Sequence, residues 1–278
     1  MNGASHIALA LSEAMDASDS VHLLGEALPL SAAGSALLNQ HPSRCHLLPA
    51  ADATLVGVAI GLAIAGKTPV VELSGADALW GAIQQIGQEG ARLTGEFNGT
   101  VVIRVPVNDH PEQLVRLLDG VGVSVASPAE AADAGALVKA ALRHNGVTVL
   151  LEPISVLHAS GGQASEASLG KARTLEAGTH ITLAAWGSGV EATSAAARVL
   201  GREGISAEVI DLRSLAPLDT EALAASVNKT GRLLLVGTGP HLLNAALDAA
   251  FLRLESPPAV VAPRTELITS KARAAVHY

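Results

Sequence analysis

Alternating signals for strands and helices constrain the fold of this chain more than any other feature. Short apolar runs such as "TPVVEL" and "GTVVIRVP" are separated by longer segments, such as "DALWGAIQQIGQEGARL", whose apolar residues recur at helical spacing. Strands joined by helices of this length pair in parallel, and the helices cover both faces of the sheet. The pattern therefore predicts an α/β fold built from doubly wound, mainly parallel sheets.

The composition and one break in the alternation predict two domains. The chain has 278 residues, of which 49% are hydrophobic and 16% charged, as suits strands that are buried on both faces. Residues 158–180 are rich in glycine, serine and alanine and have no apolar period, which is typical of a linker. We therefore expect a first domain over 1–157, a linker over 158–180 and a smaller second domain over 181–278.

Charge and sorting signals narrow the class of protein. The net charge of −8 argues against nucleic acid and anionic membrane surfaces as partners. No stretch reaches about 18 purely apolar residues, and the start "MNGASHIALALSEAMD" lacks the basic region of a signal peptide. Cys45 is the only cysteine, so no internal disulfide can form. We expect a cytoplasmic protein that binds neither nucleic acid nor membrane.

A glycine turn in the second half has two interpretations. The segment Trp186–Ala192, "WGSGVEA", follows a strand and opens a helix with the form G-x-G-x-x-A, and Asp211 ends the next predicted strand. This pattern resembles a dinucleotide-binding fingerprint, in which glycines let phosphates approach a helix N-terminus. It also arises as an ordinary turn between strand and helix, which is the better interpretation. The ten histidines show no metal-binding spacing, so we expect no metal site from this chain's side chains.

Three titratable side chains are candidates for a site: two follow predicted strands, where α/β sheets place their sites, and one lies at the start of a predicted helix. Glu26 follows the strand "VHLLG", Asp52 precedes the apolar helix "ATLVGVAIGLAIAG", and His110 follows "VVIRVP" together with Asp109 and Glu112. Each also has a simpler explanation. Glu26 and Asp52 could cap helices, and the loop around His110 could be polar only because it is solvated. Spacing alone favours these simpler explanations.

Several longer segments carry a resemblance to a known family. They occur in the order "SVHLLGEAL", "LPAADATLVGVAIGLAIAGKTPVVEL", "VVIRVP", "VASPAEAADAGALVKAALRHNGVTVLLEP" and "GREGISAEVIDLRSLAPLDTEALAASVNKTGRLLLV". Together they resemble the β subunits of thiamine-diphosphate-dependent 2-oxoacid dehydrogenases of the pyruvate and acetoin dehydrogenase type, within the transketolase-like superfamily. The resemblance spans most of the chain, and the last segment is its most specific part.

The resemblance implies both a fold and a chemistry. It implies a transketolase pyrimidine-binding domain followed by a transketolase C-terminal domain. The first domain holds the cofactor's aminopyrimidine, while an α subunit binds the diphosphate through Mg²⁺, in an expected α2β2 assembly. In that family a glutamate of the β subunit hydrogen-bonds a pyrimidine ring nitrogen and so activates the thiazolium carbon that attacks the 2-oxoacid. The family's G-D-G…N motif for diphosphate and magnesium does not occur in this sequence.

Three residues of this chain match site residues of the family. Asp52, in "AADATLVG", falls at the position of the glutamate in the family pattern I-S-E-x-x-F-x-G. Glu26 matches an acid that the family carries after its first strand, close to the cofactor. His110, in "HPEQ", matches a family histidine that precedes a glutamine. The resemblance therefore implies Asp52 and His110 as catalytic residues, and Glu26 and Asp52 as cofactor-binding residues.

The site also departs from the family pattern. Aspartate is one methylene shorter than glutamate, so its carboxylate retracts by roughly 1.5 Å, and a misplacement of that size can cost about a hundredfold in rate. Ala76 and Ala78 stand where the family has aromatic residues that stack on the pyrimidine, and the family's glycine-rich loop before the histidine is missing. Two hypotheses remain: a working β subunit with altered chemistry, or a catalytically degenerate paralogue that acts as a scaffold or regulatory binding subunit.

Overall fold

The computed structural model divides the chain into two compact units, Met1–Leu169 and Gly170–Tyr278. The division falls inside the segment 158–180 that the sequence suggests as a linker. The structure describes residues 1–49, 52–90, 98–108, 111–118, 120–162, 166–237 and 240–278.

The first unit is built on a parallel sheet. Its described strands run in the order β5-β6-β4-β3-β1-β2, and every neighbouring pair is parallel. They are β1 (Val21–Gly25), β2 (Cys45–Leu47), β3 (Thr68–Glu72), β4 (Thr100–Val107), β5 (Ser124–Ala126) and β6 (Gly146–Pro153). The described α-helices of this unit are α1 (Gly3–Ala17), α2 (Ala32–Gln40), α3 (Asp52–Ile64), α4 (Ala76–Gln88), α5 (Glu112–Leu118), α6 (Ala131–Leu142) and α7 (Ile154–His158).

Different helices cover the two faces of this sheet. On one face Leu23, Val70 and Leu150 pack against α1, α2 and α6 in one buried cluster. On the other face α3 packs on β3 and β4 and beside α4. The inner strand β6 is buried along its whole length and its neighbour β4 along nearly all of it, because helices exclude water from both sides.

The second unit has a smaller sheet with the strand order β12-β11-β8-β9-β7. All pairs are parallel except β7 with β9, which is antiparallel. The strands of this unit are β7 (Arg173–Glu176), β8 (Ile181–Ala185), β9 (Ala207–Asp211), β10 (Ser214–Ala216), β11 (Leu233–Val236) and β12 (Ala259–Val261). Its described α-helices are α8 (Gly189–Arg202), α9 (Thr220–Thr230), α10 (Pro240–Ala250) and α11 (Thr265–Val276).

The predicted fold class is confirmed, since both units are α/β with mainly parallel sheets. Strand β7 lies inside the segment 158–180, where the sequence shows no apolar period. It is an edge strand whose residues are half-buried or exposed, so it needs no run of apolar side chains. Within the described residues, the helices are too short or too polar to cross a membrane.

Candidate active site

The carboxyl ends of neighbouring strands of the first unit meet at one edge of the sheet. At this edge Glu26 follows β1, Asp52 begins α3 shortly after β2, and Ala76 begins α4 after β3. Sites of α/β proteins form at such edges because the loops that leave parallel strands converge there. The structure therefore brings Glu26 and Asp52 to the same edge. The predicted catalytic residue His110 and its neighbour Asp109, after β4, lie outside the described residues.

Asp52 is the first residue of α3 and is half-buried. The helix thus begins one residue before the predicted start, which puts the carboxylate in the first turn, where unpaired helix amides favour negative charge. The side chain packs against α4 at Gly81: a Cβ atom built on Gly81 would lie 3.1 Å from Oδ2 and 3.4 Å from Cβ of Asp52. The catalytic and cofactor-binding roles of Asp52 stay predictions.

Glu26 is half-buried directly after β1, where the chain is tightly packed. A Cβ atom on the preceding Gly25 would lie 2.7 Å from a side-chain carbon of Leu28 and 3.0 Å from the carbonyl oxygen of Glu72. Position 25 therefore has no room for a side chain unless Leu28 moves. This close packing holds the turn with Glu26 against the end of β3. The role of Glu26 in cofactor binding stays a prediction.

Small residues occupy the first turns of α4. Ala76, Ala78 and Gly81 present at most a methyl group, and Ala78 is buried. The aromatic residue of this helix is Trp80, whose side chain is 48% exposed. Positions 76 and 78 thus supply no aromatic ring to the edge of the sheet where Asp52 lies.

Three charged side chains that no sequence motif indicates form a buried network in the same sheet. Arg104 on β4 donates from Nε and Nη2 to the two carboxylate oxygens of Glu152 on β6, at 2.8 and 3.0 Å. It also donates from Nη1 to Oε2 of Glu72, at the end of β3, at 2.7 Å. All three residues are exposed by 7% or less. Each charge interrupts an apolar strand, and this is the signal that could have revealed the network, because a buried charge needs a partner.

The network has two carboxylates for one guanidinium. Burial raises the pKa of Glu152 even though Arg104 acts to lower it. Burial also disfavours the charged form of Arg104, but Glu152 and Glu72 outweigh this and hold the pKa of the guanidinium above its ordinary value. Arg104 therefore stays charged, while one carboxyl group keeps its proton more readily than usual. The network joins β3, β4 and β6, and the amide of Leu73 adds a hydrogen bond to the Arg104 carbonyl at 3.0 Å.

At the glycine turn of the second unit, Trp186 and the nearby Asp211 form hydrogen bonds within the protein. Trp186, which begins the segment 186–192, is buried and donates from Nε1 to a backbone carbonyl at 2.6 Å. Asp211 is buried at the end of β9, where its carboxylate accepts from Nη2 of Arg173 at 3.2 Å and from the amide of Arg213 at 3.1 Å. Because a guanidinium and an amide already bind this carboxylate, the geometry favours the ordinary strand-to-helix turn over a dinucleotide site.

Comparisons with known proteins identify the two units. Residues 1–158 match the transketolase pyrimidine binding domain, and residues 170–277 match the transketolase C-terminal domain. The chain is 31% identical over 233 residues to the pyruvate dehydrogenase E1 component subunit beta of Acholeplasma laidlawii. The aligned residues make up 76% of this chain and 71% of that protein. It is 32% identical over 248 residues to the protein of the same name from Bacillus subtilis strain 168, and the aligned residues make up 81% of this chain and 76% of that protein.

A solved structure supports the same fold. A split-gene transketolase, described as an inactive beta4 tetramer, matches with a TM-score of 0.83 and 22% sequence identity over 100% of this chain and 98% of that chain. At this identity the likeness shows the fold alone. The domain matches and the sequence relatives confirm the resemblance found in the sequence. The chain therefore belongs to the transketolase-like, thiamine-diphosphate-dependent family that includes the E1 β subunits of 2-oxoacid dehydrogenases.

Proposed function

We propose that this chain is the β-type subunit of a heteromeric thiamine-diphosphate-dependent enzyme, which decarboxylates a 2-oxoacid or transfers a two-carbon or acyl unit. The observation that carries the proposal is the carboxylate of Asp52, half-buried in the first turn of α3 at the carboxyl edge of the sheet. The matching family depends on thiamine diphosphate. A carboxylate at a helix start can also be both a cap and a functional acid, because the helix amides stabilise its charge in either role.

The described residues at this edge fit the aminopyrimidine of the cofactor. A ring N–H of the pyrimidine needs a strong acceptor, and a carboxylate forms a stronger hydrogen bond than a neutral group does. Asp52 supplies that carboxylate, held against Gly81, and Glu26 supplies a second acid at the same edge. When bound, thiamine diphosphate supplies a nucleophilic carbon that adds to the 2-oxo group and accepts the electrons released on decarboxylation.

The chain's own residues orient this group in the proposal. Asp52 accepts the hydrogen bond of the ring nitrogen through a carboxylate oxygen, and the amides of α3 stabilise its charge. Arg104 fixes the strands beneath the site through its bonds to Glu72 and Glu152. We propose His110 as the second catalytic residue because it follows β4 and matches the family histidine.

The proposal requires a partner for the rest of the site. The sequence has no G-D-G…N run. In the part of the chain that the structure describes, no group of three or more His, Cys, Asp or Glu side chains is arranged to hold a metal ion. We propose that an α-type subunit binds the diphosphate and Mg²⁺, in an α2β2 assembly.

An apolar helix surface next to Asp52 suits this partner. On α3, Val58 and Ile64 are 40% and 46% exposed, and a Cβ atom on Gly61 between them would meet nothing within 4 Å. Trp80 is 48% exposed on the neighbouring helix α4. A glycine in the middle of an apolar helix face lets another helix approach closely, and exposed apolar patches mark interaction sites. We name these four residues the α3/α4 face and propose that the α-type subunit docks there.

Val58→Glu tests the docking surface. It places a charge on the apolar α3/α4 face, so we expect it to abolish copurification with a coexpressed α-type subunit. Leu9→Glu is the matched control: it adds the same charge at a residue of α1 that is 47% exposed on the other face of the sheet, and it should leave the complex intact. Size-exclusion chromatography with light scattering measures the outcome. A wild-type chain that binds thiamine diphosphate tightly as a lone, monodisperse monomer would contradict the need for a partner.

Asp52→Asn tests the proposed chemistry in the coexpressed complex. Asparagine caps a helix about as well as aspartate, so the fold should persist. The loss of the anionic acceptor should lower thiamine-dependent turnover of a panel of 2-oxoacids by about a hundredfold or more. Asp52→Glu restores the reach of the family's glutamate and should keep activity. Wild-type turnover in Asp52→Asn would leave Asp52 as a cap only, whereas a wild-type complex without thiamine-dependent turnover would favour the degenerate scaffold or regulatory subunit.

A further inference from the structure

Gly81 lies in the middle of α4, and the side chain of Asp52 fills the space that a larger residue would need there. A Cβ atom on Gly81 would lie 3.1 Å from Oδ2, 3.4 Å from Cβ and 3.7 Å from Cγ of Asp52. These are the three nearest heavy atoms, and all belong to one side chain. The absence of a side chain at Gly81 therefore decides where the Asp52 carboxylate can lie.

The backbone of α4 does not require glycine at this position. The φ of Gly81 lies outside the positive range, within a regular helix. Alanine is favoured over glycine in such a helix because glycine loses more conformational freedom on folding. Gly201 in α8 gives the contrast, since a Cβ atom there would meet nothing within 4 Å. The contact with Asp52 is what distinguishes Gly81 from an ordinary helical glycine.

The same two helices also meet further along their lengths. A Cβ atom on Gly57 of α3 would lie 3.7 Å from Oε1 of Gln85 in α4, an ordinary van der Waals distance. Gln85 therefore lies beside Gly57, so separating the two helices would lose packing there as well as at Gly81. A methyl group at Gly81 would therefore displace the Asp52 side chain more readily than it would separate α3 from α4.

We infer that Gly81 is a positioning residue, which leaves room for the Asp52 carboxylate to lie against α4 and accept a hydrogen bond from the cofactor. This inference rests on the proposed function. A carboxylate on the shorter aspartate side chain has little reach to spare, so a displacement of Oδ2 by a fraction of an ångström weakens that hydrogen bond.

Gly81→Ala tests the inference in the complex with a coexpressed α-type subunit, thiamine diphosphate and Mg²⁺. We expect the Tm to stay the same or rise, because alanine stabilises a helix. We expect hydrogen–deuterium exchange at the thiazolium carbon to slow by about tenfold, since 1 Å of misplacement costs about a hundredfold and the methyl group shifts the carboxylate by less. Gly201→Ala, the same substitution where nothing is near, should exchange at the wild-type rate. Wild-type exchange in Gly81→Ala would overturn the inference.

A second readout does not depend on catalysis. In the Asp52→Ala background the new methyl group meets no carboxylate, so Gly81→Ala should raise the Tm of the chain by more than it does in wild type. Equal Tm changes in the two backgrounds would overturn the inference. If the Tm changes differ but the wild-type complex shows no thiamine-dependent exchange, the proposed function fails while the positioning of Asp52 by Gly81 stands.

Discussion

Replacing Arg104 by methionine tests the buried network of the first unit. The change removes hydrogen bonds of 2.7, 2.8 and 3.0 Å and leaves Glu72 and Glu152 buried without their shared cation. Removing one partner of a buried ion pair costs about 3–5 kcal/mol, and two carboxylates lose their partner here, so we expect a loss of about 5 kcal/mol at neutral pH. That is a large share of the roughly 5–15 kcal/mol by which a domain is stable.

Urea unfolding followed by far-UV circular dichroism measures this loss. A control variant replaces all three members, Glu72, Arg104 and Glu152, by methionine. It buries no charge, so it should recover most of the stability, because the desolvation cost disappears together with the attraction. A loss below about 1 kcal/mol, as for an exposed salt bridge, would refute the reasoning. A triple variant that is no more stable than Arg104→Met would refute it as well.

Two smaller changes probe the same sheet. The pKa of Glu152 is raised in the folded state, so the native state binds its proton more tightly than the unfolded state does, and this contribution to stability is lost as the pH rises through the raised value. Glutamine does not titrate, so Glu152→Gln loses no stability as the pH rises in this way. In urea titrations, the free energy of unfolding of Glu152→Gln relative to wild type should therefore be greater at pH 8 than at pH 4. Gly25→Ala should lower the free energy of unfolding by about 1–3 kcal/mol, because its Cβ meets Leu28 at 2.7 Å; an unchanged urea midpoint would contradict this.

The helices and strands that carry the site could be predicted from the sequence, because their apolar residues recur at the spacing typical of each element. The apolar run after Asp52 and the glycine at its end predict a helix, and the structure begins α3 at Asp52. Glu26 was placed correctly for a similar reason, since a short apolar strand ends just before it. That these two acids share an edge follows from the observed sheet, because parallel strands bring their carboxyl ends together.

Other features depend on contacts between segments that are distant in the sequence, and the local spacing of apolar residues does not reveal such contacts. Glu72, Arg104 and Glu152 are separated by 32 and 48 residues, and only the register of β3, β4 and β6 brings them together. The importance of Gly81 follows from the packing of α3 on α4 and not from any local motif. Strand β7 was missed because a half-exposed edge strand has no apolar run.

The most direct test of the central claim is hydrogen–deuterium exchange at the thiazolium carbon of thiamine diphosphate, because it requires no knowledge of the substrate. The complex with a coexpressed α-type subunit is mixed with D₂O, quenched with acid at short times and analysed by proton NMR. We predict that the wild-type complex exchanges this proton faster than Asp52→Asn by about a hundredfold or more, with equal amounts of bound cofactor. Equal exchange rates in the two complexes would contradict the claim that Asp52 activates the cofactor.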